Sequence, residues 1–424
     1  MNSDEKEYIV STPTQETRNE VTQEQTEEQK RMREARRRIL ETGLDPFPEY
    51  ERMRASNPVF YNEETKFWEL FRYDDVLHVI SDYATFSSER LVPPDEKMAE
   101  HLRKEGWSEE DLPTKSILNT DPPRHRQLRS LVTQAFTPRA VALLAPRITE
   151  IVHELLDKVA ATGQMDVIQD LSYPLPVIVI AEMLGVPTDD RAQFKRWSDS
   201  IVDASGEAGM QVIKEMNGYF REVIAQRRVQ PRDDLISGLV AAEIDGEKLT
   251  ERELLSFCVL LLIAGNVTTT NLIGNALLCF DEYPEVMDQL REDPSLLPGA
   301  IEEVLRYRSP VQRLVRMATV DTIIGGKEIK EGQVVVPCLG SANRDEAQFP
   351  YPDVFDIRRT PNRHVAFGHS IHFCIGAPLA RLETKIALTV LLARFNNIQR
   401  VRDIPLEGVA GFYGVKSLPI TFQS

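Results

Sequence analysis

Over most of the chain apolar residues return at steps of three and four, the period at which a helix presents one face to a core. Runs of this kind cover 131–159, 177–184, 212–225 and 254–280, with Pro or Gly near their ends, and nearly everything between about 123 and 310 reads helical. A further apolar helix is expected over 379–395. Alternation is confined to short stretches, Lys66-Phe67-Trp68-Glu69-Leu70-Phe71 and Gly332-Gln333-Val334-Val335-Val336-Pro337, which predict strands. Residues 1–38 carry Glu, Gln, Thr and Arg with few apolar positions and end in Arg36-Arg37-Arg38. Such a segment buries too little apolar surface to fold and is expected to be a flexible charged arm. Beyond it no Gly/Ser- or Pro-rich linker and no repeat interrupts the pattern, so 39–424 is expected to form one domain. The fold class that follows is mainly α, with a small β region contributed by the two ends of the chain.

Composition narrows the function. With 424 residues, 42% of them hydrophobic, the chain can bury a sizeable core, which excludes a disordered or fibrous protein. A formal charge of -16 argues against wrapping nucleic acid or lying on an anionic membrane. The strongest apolar run, 257–265, is far shorter than the roughly 20 residues of a membrane span, so none is expected. Four cysteines without a CxxC pair argue against a disulfide framework and fit a reducing, cytoplasmic setting. Two windows depart from the acidic average. Neither 122–149 nor 357–382 contains Asp or Glu, while Arg124, Arg126, Arg129, Arg139 and Arg147 occupy the first and Arg358, Arg359, Arg363 and Arg381 the second. They are either solvated basic faces or sites for a bound anion or a negatively charged partner.

The second window holds Phe367-Gly368-His369-Ser370-Ile371-His372-Phe373-Cys374-Ile375-Gly376-Ala377-Pro378-Leu379-Ala380-Arg381. A cysteine just ahead of a helix has backbone N–H groups and the positive dipole end to stabilise a thiolate, which suits a metal. Gly368 and Gly376 would let backbone pass close to a flat cofactor, and Phe367 could shield the sulfur from water. The bland alternative is a small buried apolar side chain, which Cys258, Cys279 and Cys338 fit well. Zinc or an iron–sulfur cluster would need further ligands nearby, so one thiolate on haem iron is the most economical reading of Cys374.

This segment resembles the haem-binding signature of the cytochrome P-450 superfamily, F-G-x-G-x-H/R-x-C-x-G, with Ser370 in place of the second glycine. Glu303-Val304-Leu305-Arg306 is similar to the family's E-x-x-R pair, whose third partner would be Arg359. The resemblance implies a cytochrome P-450 fold, haem b as cofactor, Cys374 as axial iron ligand, and propionates held by His125 and Arg129 on one side and by Arg316 and His364 on the other. Guanidinium and imidazole groups suit buried carboxylates through charge-assisted hydrogen bonds.

Within the predicted 254–280 helix, Ala264-Gly265-Asn266-Val267-Thr268-Thr269-Thr270 is a weak spot, either merely tolerated or a local opening. It is similar to the family's oxygen-activation motif A-G-x-D/E-T, which implies that small Ala264 and Gly265 leave room for dioxygen and that Thr268 steers protons. Val267 replaces the acid, so protons must pass through water, Asn266 (with Thr269 beside it) or another route. The resemblance implies a monooxygenase hydroxylating an apolar fatty acid, terpenoid or steroid. It also implies a pocket walled by a mobile lid over 87–115, by 193–228, and by Leu262, Ile263, Val311, Leu314 and Val315. Peroxide-driven oxidation and a haem redox or sensor module impaired in oxygen activation are the alternatives that Val267 raises. No dinucleotide fingerprint and no flavin or ferredoxin-like segment is present, so electrons are expected from an external ferredoxin or flavodoxin served by an NAD(P)H-dependent reductase. Arg126, Arg139, Arg358 and Arg363 are candidate docking cations on a monomeric enzyme.

Overall fold

The computed structural model describes residues 45–89, 100, 103–104, 107, 115–133, 136–190, 193–194, 196–197, 200, 207–244, 246–409 and 411–424. The expected flexible arm, most of the expected lid and part of the 193–228 wall lie outside these residues.

Helices α1 (Phe47–Ser56) and α2 (Tyr73–Ser81) flank the first strands. The single helix expected over 131–159 is instead three: α3 (Arg124–Thr133), α4 (Pro138–Ala142) and α5 (Ala145–Asp157). Thr137 caps α4 by accepting from the Ala140 amide, and prolines in the first turns of α4 and α5 remove N–H groups a continuous helix would need. Helices α6 (Pro174–Met183), α7 (Glu207–Val229), α8 (Leu235–Ala241), α9 (Glu251–Glu282), α10 (Glu285–Glu292), α11 (Leu297–Tyr307), α12 (Leu339–Ala342) and α13 (Ala377–Arg394) follow.

Helix α9 begins in a capping box, Thr250 accepting from the Glu253 amide while the Glu253 side chain returns to the Thr250 amide. It then runs unbroken through 264–270, where an opening was one of the readings. Its polar side chains bond back along the helix without displacing the backbone ladder: Thr268 Oγ1 donates to Ala264 O at 2.8 Å and Asn271 Nδ2 to Val267 O at 2.9 Å. By length and composition α9 could also cross a membrane, which the short run 257–265 did not suggest. However, 67% of its most apolar window is buried within the protein, as in a core helix. Helices α6, α7, α11 and α13 pack around it, and their apolar faces merge into one large core.

Strands β1 (Val59–Asn62), β2 (Phe67–Leu70), β3 (Phe86–Ser87), β7 (Arg316–Ala318) and β10 (Val334–Pro337) form a sheet in the order β1-β2-β10-β7-β3. Its parallel β2–β10 pair, with Val335 opposite Trp68, joins the two segments predicted as strands. A smaller core lies against this sheet. A second sheet, β11 (Asn396–Arg400), β12 (Pro419–Gln423) and β4 (Gln164–Asp166), takes one strand from the span that read helical. That span also holds the hairpin β5 (Glu243–Ile244) and β6 (Glu247–Lys248). Hairpin β8 (Thr322–Ile324) and β9 (Lys327–Ile329) completes the strands.

Candidate functional site

The loop before α13 is built around its cysteine. The Cys374 amide donates to Phe367 O at 2.8 Å and the Phe373 amide to Ser370 O at 3.1 Å, folding the loop onto itself. The turn needs left-handed backbone at Gly368 (φ +71) and at Ser370 (φ +57). Gly368 adopts it freely, whereas Ser370, standing where the signature has glycine, carries a Cβ penalty of about 1–2 kcal/mol. Gly376 has ordinary φ, and a Cβ there would lie 3.9 Å from Cys374 Sγ, so its expected close-approach role is not enforced by the protein alone.

Cys374 keeps accessible surface, whereas Cys258, Cys279 and Cys338 are buried and burial pushes each of their thiols up to about 12. Even so, enough protein surrounds Cys374 for burial to raise its thiol above the ordinary range; hydrogen bonds from the Gly376 and Ala377 amides, then the Arg129 and Arg381 charges, pull it back. Cys374 is thus closely surrounded by protein yet leaves part of its surface uncovered. Phe373 beside it is 39% exposed, and Ala264, in the middle of buried α9, also keeps accessible surface. The Arg381 guanidinium stacks over the Phe367 ring at 4.6 Å.

His125 on α3 is buried, and neither ring nitrogen has a hydrogen-bond partner among the described residues. Burial, then His372 and Arg129, push its pKa down to about 4, against Asp121. Arg129, one helical turn on, donates to Ile371 O at 2.9 Å and Phe373 O at 2.7 Å, tying α3 to the cysteine loop with guanidinium donors to spare. Arg316 is buried on β7, and burial lowers its pKa. The orphaned imidazole of His125, the buried Arg316 and the half-buried Arg129 suit anionic acceptors. Haem carboxylates supply them, so the residues present fit that cofactor.

His364, expected at a propionate, is engaged within the protein. Its Nε2 lies 3.0 Å from Glu302 Oε2 and its Nδ1 accepts from the Ala366 amide at 3.3 Å, which commits both nitrogens. Glu302 also takes both arms of Arg381, at 2.6 and 2.7 Å. The histidine gathered with His125 is His372, its ring 4.4 Å away and its Nε2 3.0 Å from Ser88 Oγ. Sequence reasoning missed it although the signature's own H/R position, two residues before the cysteine, marks it.

Glu303 and Arg306 on α11 form a fork at 2.8 Å through both oxygens, each side chain 0% exposed. Arg359 Nε reaches the same carboxylate at 3.1 and 3.2 Å, and the Asp356 amide and Asn362 Nδ2 add bonds of 2.9 and 3.1 Å. Arg306 also donates to Asn343 O, Pro352 O and Val354 O, so this buried group pins the segment that leads to the cysteine loop.

On α9, Leu260, Leu261, Ala264 and Thr268 share one face by their three- and four-residue steps. Asn266 falls on the opposite face, fully buried, accepting from Thr270 Oγ1 at 3.2 Å, and Thr269 is buried on a third side. Neither is brought to the Thr268 face. A Cβ on Gly265 would come within 2.3 Å of Ile180 Cδ1, so that glycine lets α6 approach α9 and is not needed for room at the face. Leu262 is likewise withdrawn into the core, while Ile263, like Leu260 and Leu261, is half-buried at its edge. Val311 and Leu314 are half-buried against the smaller core, with Val315 half-buried beside Arg316. Leu260 and Leu261 are wall candidates that stepping back by three and four from Ala264 would have found. Val267 is buried. Of the basic windows, Arg124, Arg147 and Arg381 are held by carboxylates, while Arg126, Arg139, Arg358 and Arg363 are exposed.

A family model described as Cytochrome P-450 matches residues 188–407. The putative cytochrome P-450 YjiB of Bacillus subtilis is 46% identical over 92% of this chain and 98% of its own length. The crystal structure of CYP109E1 from Bacillus megaterium in complex with testosterone is 43% identical, covers 89% of this chain and 99% of that one, and superposes with a TM-score of 0.80. The structure of P-450 BioI in complex with acyl carrier protein ligated to hexadec-9Z-enoic acid is 38% identical, covers 90% of this chain and 100% of that one, and has a TM-score of 0.82.

Proposed function

Because the chain belongs to the cytochrome P-450 family and is thereby a monooxygenase with haem b as cofactor, we propose that it hydroxylates an apolar fatty acid, terpenoid or steroid, with Cys374 as the residue that would ligate the haem iron. The observation that carries this reading is Cys374 itself, an accessible sulfur at a helix N-terminus taking two backbone N–H bonds, with the Arg129 charge near it and the unpartnered His125 imidazole on the same helix as Arg129. When bound, haem supplies redox iron at which dioxygen is reduced, and thiolate ligation favours O–O cleavage.

The protein's own part follows from its side chains. His125 and Arg129 on one side and Arg316 and His364 on the other would hold the propionates, with His372 beside His125, and the Glu303–Arg306–Arg359 group keeps the cysteine loop in register. Thr268 Oγ1, whose proton is lent to Ala264 O, retains lone pairs that accept a proton and pass one on. Val267 holds none, so turnover loses more reducing equivalents to peroxide than with a carboxylate at that position. Leu260, Leu261 and Ala264 give an apolar wall, in keeping with the testosterone and hexadecenoic acid in the two related crystal structures. Electrons come from an external ferredoxin or flavodoxin docking at Arg126, Arg139, Arg358 and Arg363, to a cytoplasmic monomer whose haem domain is 39–424. Val267 favours a second reading, oxidation driven by peroxide, which brings both electrons and protons with it.

The test is optical. The reduced carbon-monoxide complex is expected to show the red-shifted thiolate band and to lose it in Cys374→Ser; a band that survives that substitution overturns the assignment. Turnover with ferredoxin and reductase against turnover with peroxide alone separates the two oxidant readings.

A further inference from the structure

Helix α3 carries two of the residues assigned to the cofactor, yet little apolar packing fixes it. Of its 10 residues only His125, Leu128 and Val132 are buried, and its principal neighbours are strand β5 and the short turn Ile117–Asn119. Apolar burial is non-directional, so two buried aliphatic side chains leave such a helix free to slide or roll. Its position is set by polar ties at the two ends. At the far end Arg129 reaches the cysteine loop through Ile371 O and Phe373 O. At the near end Arg124 forks onto Glu253 in the first turn of α9: Nε donates to Oε1 at 2.8 Å, and Nη2 to Oε1 at 2.6 Å and to Oε2 at 2.7 Å. Arg124 Nη1 adds Gln127 Oε1 at 2.9 Å and, on β6, Glu247 Oε2 at 3.4 Å. The pair is largely withdrawn from water, Arg124 being 32% and Glu253 16% exposed at the side chain. Glu253 is also the acid of the α9 capping box, so one carboxylate fixes the start of both helices. Burial opposes its charge, but the Arg124 guanidinium and the Thr250 donors hold its carboxyl below the ordinary range.

We propose that Arg124 and Glu253 are positioning residues for the cofactor: their fork fixes α3 against the first turn of α9 and thereby sets where His125 and Arg129 present their nitrogens to a haem carboxylate. This rests on the reading of His125 and Arg129 as propionate residues. Those two stand four apart and share a face of α3, whereas Arg124 lies about 100° round the helix from His125. The fork therefore acts on the backbone of α3 and touches nothing that His125 and Arg129 hold. A two-armed guanidinium–carboxylate contact fixes direction as well as distance, which the sparse apolar packing of α3 does not. Because α9 also bears Ala264 and Thr268, the same contact sets the cofactor-holding helix in register with the helix that walls the site.

The test follows haem transfer from the ferric holoenzyme to apomyoglobin, together with the propionate bending band in the resonance Raman spectrum. Glu253→Gln keeps a side chain that closes a capping box but removes the charge that Arg124 grips. It and Arg124→Gln are each expected to retain the thiolate carbon-monoxide band, to shift the propionate band, and to release haem about tenfold faster, the usual loss when an outer-shell partner is removed. The double variant is expected to lose no more than about twofold beyond either single one, since both act through one contact. Glu251→Gln is the control: it lies in the same turn of α9 but pairs with Arg228 and Arg221 on α7, and is expected to leave the band in place and release within about twofold of the parent. Arg124→Lys keeps the charge without the fork and serves where a Gln variant takes up no haem; its release is expected to be about threefold faster. Parent-like release and an unshifted band in the Arg124 and Glu253 variants, or an equal effect in Glu251→Gln, overturns the proposal. An unshifted propionate band when His125→Phe and Arg129→Gln are combined would instead defeat the reading on which it stands.

Discussion

Replacing Glu303 by Gln removes one negative charge from the most enclosed ionic group among the described residues. The carboxylate accepts from both arms of Arg306 at 2.8 Å, from Arg359 at 3.1 and 3.2 Å, from the Asp356 amide at 2.9 Å and from Asn362 at 3.1 Å. Gln offers one acceptor oxygen in place of two and turns an NH2 group toward two guanidinium groups. Neither arginine can escape to water, since Arg306 is 0% and Arg359 9% exposed at the side chain. Breaking a buried pair of this kind costs about 3–5 kcal/mol, about a fifth or more of a typical 5–15 kcal/mol total. With an unfolding entropy of about 2.1 cal/mol/K per residue over 424 residues, that loss lowers the thermal midpoint by about 3–6 °C at a fixed scan rate. Because the group pins the segment running from 350 to 362 into the cysteine loop, haem content should fall as well. Differential scanning with haem quantified on the same sample measures both. A loss below about 1 kcal/mol, the worth of an exposed pair, with full haem content, refutes the argument.

Two smaller effects follow. Ser370→Gly removes a left-handed penalty of about 1–2 kcal/mol and adds about 0.5–1 kcal/mol of unfolded-chain entropy. The net gain of about 0.5–1 kcal/mol should be visible in denaturant titration, and a loss there contradicts the backbone reading. His125→Phe should flatten the acid limb of stability in protein stripped of haem. The folded imidazole titrates at about 4 and the unfolded one near 6.5, so between those values the unfolded chain binds more protons and stability falls as pH falls. From pH 8 to pH 5 the parent should lose about 2 kcal/mol more than the variant. Parallel urea curves for the two proteins across that range would show that His125 is not held neutral.

Much of this protein was legible before its fold was known, because the signals were local. A three- to four-residue apolar period and prolines near helix ends act over one or two turns, and they place most of the helices. The i, i+3 spacing of Glu303 and Arg306 brings those side chains together in any helix, and a cysteine ahead of α13 has backbone donors wherever that helix lies. Tertiary structure decided what local rules cannot reach. Whether Gly265 serves a helix crossing or an open face depends on where Ile180 arrives, and the 200° turn separating Asn266 from Ala264 matters only once one side of α9 is walled. His364 and His372 stand in one acid-free window, yet Glu302 takes the first while the second lies against His125 on α3. The strand at 164–166 exists because residues 419–423 pair with it from the far end of the chain. In each case the deciding energy is a contact between residues remote in sequence, whose partners are fixed only when the cores have packed.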